Sequence, residues 1–155
     1  MNKVVYINND GVFNINKDET LEIYHYVVDK SVNIKINLNG ENAKVIYHLS
    51  IISNNDNVCK VDVNHVASNT ESKIICHGVN TGNKKLEFNV TGLVPKDISK
   101  CVCKEENQII NLSDGTKKTY EFKESEYDKT IYDFKKSIEK DVGIDADYQV
   151  LKIRK

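Results

Sequence analysis

Apolar and polar residues alternate along most of the chain between Leu21 and Phe122. The segment VNIKINL, from Val32 to Leu38, is the clearest case. Successive side chains of a strand point to opposite faces, so this pattern predicts strands with one buried face. The other segments with this pattern are LEIYHYVV (21–28), KVIYHLSII (44–52), VCKVDVNHV (58–66), KIICHGV (73–79), LEFNV (86–90), ISKCVC (98–103), QIINL (108–112) and TYEF (119–122).

Turn-forming residues separate these segments, as in Asn39-Gly40, the run 54–57 and Asp114-Gly115. The strands recur roughly every 8 to 14 residues, a spacing that sandwiches, barrels and β-solenoids share. Asparagine at the corners and a single proline, Pro95, favour a solenoid. Because no strict hexapeptide or nonapeptide repeat is present, the period alone leaves a sandwich as the competing fold.

The pattern changes after Ser125, where apolar residues take the spacing of one helix face. Gly143 follows where a helix would end, and DYQVLKIRK (147–155) has the pattern of a closing strand. We therefore expect a solenoid core over residues 1–123, and one amphipathic helix plus a strand over 124–155. The apolar stripe consists of Tyr127, Ile131, Phe134, Ile138 and Val142.

Composition and charge narrow the function classes. The chain has 155 residues and a formal net charge of −1, without a cluster of Lys and Arg. A nucleic-acid partner is not expected, since binding by counterion release needs such a cluster. The chain has neither an apolar signal region nor a membrane-spanning segment, so we expect a cytoplasmic protein with no membrane partner. The four cysteines are then expected to be thiols.

Four residues between Asn64 and Gly78 have side chains suited to nucleophilic chemistry: His65, Thr70, Ser72 and His77. None lies in a Gly-x-Ser-x-Gly motif or another nucleophile turn. Ser and Thr at a sheet corner commonly bond to nearby backbone groups, and a half-buried His commonly bonds to a carbonyl. We therefore expect a structural corner and no enzyme. Glu105-Glu106 is expected to be a solvated turn.

Metal binding is the other chemistry that the sequence suggests. Cys101 and Cys103 are two residues apart, so on a strand both thiols point to one face. Thiolates on one face suit a soft metal or an iron–sulfur cluster. The spacing leaves simple burial of the thiols open. Four further residues complete a site only if the fold brings them near: Cys59, Cys76, His65 and His77.

The run HVASNTESKIICHGV resembles the SufB/SufD family of iron–sulfur cluster assembly proteins. That family has a His, a Thr-x-Ser and a Gly-Val in this order, then a Phe-x-Gly-like strand and a Gln-rich segment ending near Ser-Asp. The order and spacing agree over about 43–118. The residues that carry the resemblance are His65, Thr70, Ser72, Gly78, Val79, Phe88, Gly92, Gln108, Asn111, Leu112, Ser113, Asp114 and Gly115.

The resemblance implies a right-handed parallel β-helix whose C-terminal helical region docks an ATPase. For the helix predicted here, capping of the solenoid end is the alternative that we favour, because an open end exposes unpaired strand edges and core. The resemblance also implies pairing through a sheet edge, with a second copy or a SufB/SufD-like chain, and binding to a SufC-like ABC ATPase. The implied role is a scaffold that carries a transient iron–sulfur cluster, with no other cofactor and no catalytic activity of its own.

Two other functions stay open on the residues. One is a solenoid interaction module that binds proteins and carries no cluster. The other is a polysaccharide-degrading β-helix enzyme, which works with clustered carboxylates and arginine. The chain's only arginine is Arg154, at its C-terminal end, which argues against that enzyme class.

Overall fold

The computed structural model describes residues 2–80 and 84–111, and these residues form nine β-strands. Their bounds are β1 Asn2–Ile7, β2 Gly11–Ile15, β3 Thr20–Val28, β4 Val32–Leu38, β5 Lys44–Ser53, β6 Asn57–His65, β7 Glu71–Asn80, β8 Leu86–Leu93 and β9 Val102–Asn111. Within these ranges the structure contains no helix, and so none long and apolar enough to cross a membrane.

The strands form two parallel sheets that the chain visits in turn. Sheet A has the order β1-β3-β5-β7-β9, and sheet B has the order β2-β4-β6-β8. Every strand pairs in parallel with the strand two positions along the chain. The chain therefore winds in stacked coils. Each coil contributes one strand to sheet A and one to sheet B, and β9 begins a further coil.

This arrangement confirms the predicted mainly β, parallel β-solenoid and excludes the sandwich of antiparallel sheets. The right-handed winding stays a prediction, which agrees with the usual hand of parallel crossovers. The predicted helix, the strand TYEF and the closing strand lie outside the described residues. The proposed boundary between a core over 1–123 and an appendage over 124–155 lies outside them too.

The core lies between the two sheets and consists of the inward-facing residues of each strand. In β4 the pattern is regular, with Val32, Ile34, Ile36 and Leu38 buried and the residues between them more exposed. Parallel sheets bury aliphatic rows in this way, and each buried side chain stabilises the fold by about 1.5–3 kcal/mol. The alternation seen in the sequence is thus the alternation between the core and the outer face.

One corner has the same backbone conformation in all four coils. The residue two positions before β3, β5, β7 and β9 has a φ near +60°, a conformation that L-residues rarely adopt. These residues are Asp18 (62°), Asn42 (65°), Asn69 (59°) and Lys100 (60°). Asp and Asn tolerate this conformation better than other side chains. The asparagine-rich corners therefore set the start of each sheet-A strand, and Lys100 is the least suited of the four residues.

Replacing Lys100 by Asn should stabilise the protein, because Asn adopts positive φ at lower cost. We expect a gain of about 0.5–1 kcal/mol, a rise in Tm of ~2 °C, in a thermal denaturation experiment. Lys96→Asn is the matched control, because Lys96 is also exposed in a turn but has no positive φ. An unchanged or lower Tm for Lys100→Asn would show that this corner is not strained.

The structure corrects the predicted strands at both ends of the described solenoid. The first coil, β1 and β2, was not predicted from the sequence. The segments 98–103 and 108–112 are not two strands, because β9 runs without interruption from Val102 to Asn111. The expected solvated turn at Glu105-Glu106 is wrong, since both residues lie inside β9. Glu105 takes the register position next to the inward-facing Ile74.

A polar pair lies inside the apolar core. His25 Nδ1 lies 2.8 Å from the Tyr47 hydroxyl, and the two rings meet edge to face at 6.0 Å between centroids. Both residues are fully buried, and His25 Nε2 has no hydrogen-bond partner. Burial lowers the pKa of His25 to about 4, since the core does not solvate the imidazolium. Between about pH 4 and 6.5, His25 is therefore neutral in the folded protein, whereas it is protonated in the unfolded chain.

The free energy of unfolding should therefore fall as the pH drops from about 6.5 to 4, because only the unfolded state takes up the proton at His25. We expect a loss of about 3 kcal/mol from His25. His25→Gln removes this titration and should flatten the dependence measured by urea denaturation across that range. Other buried histidines titrate in both proteins, so the difference between the two curves isolates His25. Identical slopes would contradict the account.

Candidate functional site

A buried histidine organises the corner between β6 and β7. His65 ends β6, and its Nδ1 lies 2.8 Å from Thr70 Oγ1 while its Nε2 lies 3.0 Å from Ser72 Oγ. All three residues are at most 2% exposed. Burial lowers the pKa of His65, so the ring is neutral at neutral pH. The short turn 66–70 brings the Thr and Ser onto the same ring.

The hydrogen bonds at this corner fix the tautomer of the histidine. Thr70 Oγ1 donates its only hydrogen to the carbonyl oxygen of Ala67, at 2.9 Å. At its contact with His65 the hydroxyl can then only accept, so Nδ1 carries the ring hydrogen. The neutral ring therefore has its lone pair on Nε2. That nitrogen is the basic atom of the corner.

Two thiols of the following coil reach this corner. Cys103 in β9 stacks on Ser72 in register, and its Sγ lies 3.1 Å from His65 Nε2. Cys101 Sγ lies 3.4 Å from Thr70 Oγ1, the hydroxyl that contacts the other ring nitrogen. We call His65, Thr70, Ser72, Cys101 and Cys103 the thiol–histidine cluster.

The cluster lies at the open end of the described solenoid. Within residues 2–80 and 84–111, no strand stacks beyond β8 or β9, so one edge of each of these strands has no strand partner there. Cys103 is exposed and Cys101 is partly exposed, whereas His65 lies one coil deeper and is buried. Reagents and partners can therefore reach the thiols, while the protein shields the imidazole behind them.

A small pocket lies beside Cys103, between the ends of β8 and β9. Its volume is about 80 Å³. Apolar side chains of both sheets form its walls, and Gly92 leaves room next to the thiol, since a Cβ there would lie 3.5 Å from Cys103 Sγ. The apolar lining residues are Val63, Ile74 and Val90, and the polar ones include Ser72 and Glu105.

The other two cysteines lie away from this end. Cys59 in β6 and Cys76 in β7 have no exposed surface and belong to the hydrophobic core. Burial raises the pKa of the Cys59 thiol to about 12 and raises that of Cys76 as well. Both thiols therefore stay protonated at neutral pH and pack as small apolar side chains.

His77 lies on the outer face of sheet A. Its neighbour Cys76 points into the core, so in β7 the His77 side chain points the opposite way. Its Nε2 lies 3.5 Å from Glu106 Oε2. Burial lowers the pKa of His77, and the neighbouring Glu106 partly offsets that effect. The side chain is thus on the other face of the sheet from the cluster.

Of the six candidate residues named from the sequence, the fold brings three together: His65, Cys101 and Cys103. It places Cys59, Cys76 and His77 elsewhere. Within the described part of the chain, no three His, Cys, Asp or Glu side chains converge closely enough to hold a metal ion. The cluster by itself thus offers an exposed thiol–imidazole pair with a second thiol nearby, rather than a closed metal site.

Sequence reasoning gave Thr70 and Ser72 a purely structural corner role, and the expected carbonyl partner of His65 is wrong. Thr70 does bond to a backbone carbonyl, as expected, but both ring nitrogens of His65 bond to side-chain hydroxyls. Thr70 and Ser72 follow His65 by five and seven residues, a separation that one tight turn closes. This spacing is the signal from which the contacts could have been predicted.

Comparisons of the chain with protein-family models, with curated proteins and with solved structures found no match.

Proposed function

We propose that this protein is a SufB/SufD-like component of iron–sulfur cluster assembly, a scaffold on which iron and sulfide are held transiently. One observation supports the proposal most: at the end of the described solenoid, Cys103 contacts His65, and Cys101 contacts the Thr70 hydroxyl that binds the same ring. Thiolate and imidazole are the side chains that bind iron–sulfur clusters. The cluster would be the cargo of the protein, and the protein itself would catalyse no reaction.

The open end suits a site that two chains share. β8 and β9 each have a strand partner on one side only within the described residues, so their other edges can pair with an added strand. Such a partner, a second copy or a SufB/SufD-like chain, would meet the thiol–histidine cluster directly. Ligands from that chain would complete the coordination of iron, which the thiol–histidine cluster does not provide on its own.

A SufC-like ABC ATPase is the second proposed partner. The sequence resemblance assigns its docking to the C-terminal region, which begins near residue 124. The thiol–histidine cluster lies at the end of the solenoid that the chain reaches last, in β9. An ATPase bound to the C-terminal region would therefore be connected to the thiol–histidine cluster by a short stretch of chain.

A second function has an observation in its favour. Because the described residues hold no three metal-ligating side chains in one place, a solenoid that only binds proteins is the alternative. In that case the sheet edges and outer faces would be used for binding, and the thiols would have no iron ligand role. The two functions differ in whether the purified protein takes up iron and sulfide.

Anaerobic incubation with ferrous iron and sulfide tests the scaffold proposal. We expect a brown protein with sulfide-to-iron charge-transfer absorbance in the visible region. Cys103→Ser should lose most of this absorbance, because Cys103 is the most accessible thiol donor. Cys101→Ser should also reduce it. Bound iron and acid-labile sulfide, measured after desalting, give the amount of cluster per chain.

Cys59→Ala is the matched control, since that thiol is fully buried in the core. It should retain the absorbance of the wild-type protein. A colourless wild-type protein, tested alone and with its SufB/SufD-like partner, would contradict the scaffold proposal. A colourless protein that still binds a SufC-like ATPase would support the interaction module instead.

A further inference from the structure

The thiol–histidine cluster has the arrangement of a nucleophile, a base and a group that orients the base. Cys103 Sγ lies 3.1 Å from His65 Nε2, and Thr70 holds the opposite ring nitrogen at 2.8 Å. Thr70 passes its own hydrogen to Ala67, which keeps the lone pair of the ring on the side of the thiol. A metal-ligating histidine is oriented by a bond of this kind, and the same chain orients the base of an activated thiol.

We propose that Cys103 is a reactive thiol that is oxidised by small peroxides, with His65 as the group that carries the proton. Thr70 is then a positioning residue, which acts by holding the tautomer of the ring. This reactivity needs neither iron nor a partner chain, so it does not depend on the proposed role in cluster assembly.

The pocket beside Cys103 argues for a small oxidant. Its volume of about 80 Å³ is far below the ~300–1,000 Å³ of sites for larger organic ligands. The side chains of Val63, Ile74 and Val90 form part of its lining, so the space beside the sulfur does not admit a bulky electrophile. A hydroperoxide of a few atoms fits beside the sulfur. The Ser72 hydroxyl in the pocket wall donates its hydrogen to His65 Nε2, so toward the peroxide its oxygen acts as an acceptor.

The proposed step balances without another reactant. The thiol hydrogen of Cys103 moves to His65 Nε2, and the sulfur attacks one oxygen of hydrogen peroxide. The O–O bond breaks, and the departing hydroxide takes the proton back from Nε2. The products are the sulfenic acid of Cys103 and water, so the sulfur is oxidised by the two electrons that reduce the peroxide.

The remaining cysteines provide internal comparisons. Cys59 and Cys76 are buried in the core and are closed to peroxide. Cys101 is partly exposed, but its sulfur contacts the Thr70 hydroxyl and two backbone carbonyl oxygens instead of an imidazole. If exposure alone set the reaction rate, the exposed Cys103 would react somewhat faster than the partly exposed Cys101, and replacing His65 would leave its rate unchanged. If the His65 contact sets it, Cys103 reacts much faster.

The experiment uses the iron-free full chain with a chelator, hydrogen peroxide and dimedone, which traps sulfenic acids. Trypsin releases residues 101–104 as one peptide, so Cys101→Ser and Cys103→Ser each leave a single thiol to quantify by mass spectrometry. We expect the chain that retains Cys103 to be labelled about tenfold faster or more than the chain that retains Cys101, since a positioned base accelerates proton transfer. Equal rates in these two variants would overturn the proposal.

His65→Gln and Thr70→Val, made in the Cys101→Ser chain, test the roles of the base and of the positioning residue. Each should slow labelling of Cys103 toward the rate of Cys101, whereas Thr70→Ser, which keeps the hydroxyl, should restore the faster rate. Circular dichroism establishes which variants are folded, and an unchanged rate in folded His65→Gln would refute the proposal. If His65→Gln does not fold, folded Thr70→Val provides the same test, and an unchanged rate there would refute the proposal. No iron is present, so failure here leaves the cluster-assembly proposal untouched.

Discussion

Parallel stacking of successive coils is the constraint on which the rest of the structure depends. Each sheet-A strand must start in register with the strand before it, although the stacked positions Thr20, Lys44, Glu71 and Val102 lie at growing distances along the chain. A residue with positive φ two positions earlier turns the backbone into each of these strands. This offset of two residues stays constant while the coil length varies, so the start of each strand is set locally and the buried rows stay aligned.

The sequence predicted the central coils well because each of their strands has one face in the core. The bounds of β4 agree residue for residue, and those of β5 agree within one residue. β1 was not predicted because the first coil has a neighbour on one side only, so most of its residues stay exposed or half-exposed and selection for alternation is weak. β9 was split for a related reason. After Cys103 its inward-facing positions hold Glu105 and Asn107, and these polar residues interrupt the alternation between the two predicted strands.

The site was harder to predict than the fold. The sequence indicated His65, Cys101 and Cys103 as candidates, but it also named three residues that the structure places in the core or on the outer face. Which cysteine reaches His65 depends on the register of β9 on β7, and that register depends on a loop whose length follows no repeat. Local turn chemistry could have suggested the Thr70 and Ser72 contacts, because those residues are close to His65 in sequence.

The same register joins the two functional proposals. It places the accessible thiol of Cys103 next to the buried imidazole of His65 from the coil before, where β8 and β9 have no further strand partner among the described residues. A sandwich fold would separate Cys103 from His65 and remove the basis of both proposals. The alignment of Cys103 with Ser72 is therefore the central claim of the account.

Disulfide formation between register partners tests that alignment directly. Neighbouring parallel strands lie about 4.8 Å apart, within the range that a disulfide bridges. In a Cys101→Ser chain, Ser72→Cys should form a bond with Cys103 under mild oxidation, detected by peptide mapping. Lys73→Cys, whose side chain points to the outer face, should not. A Ser72→Cys chain that stays reduced, or equal bonding in both variants, would contradict the stacked-coil register.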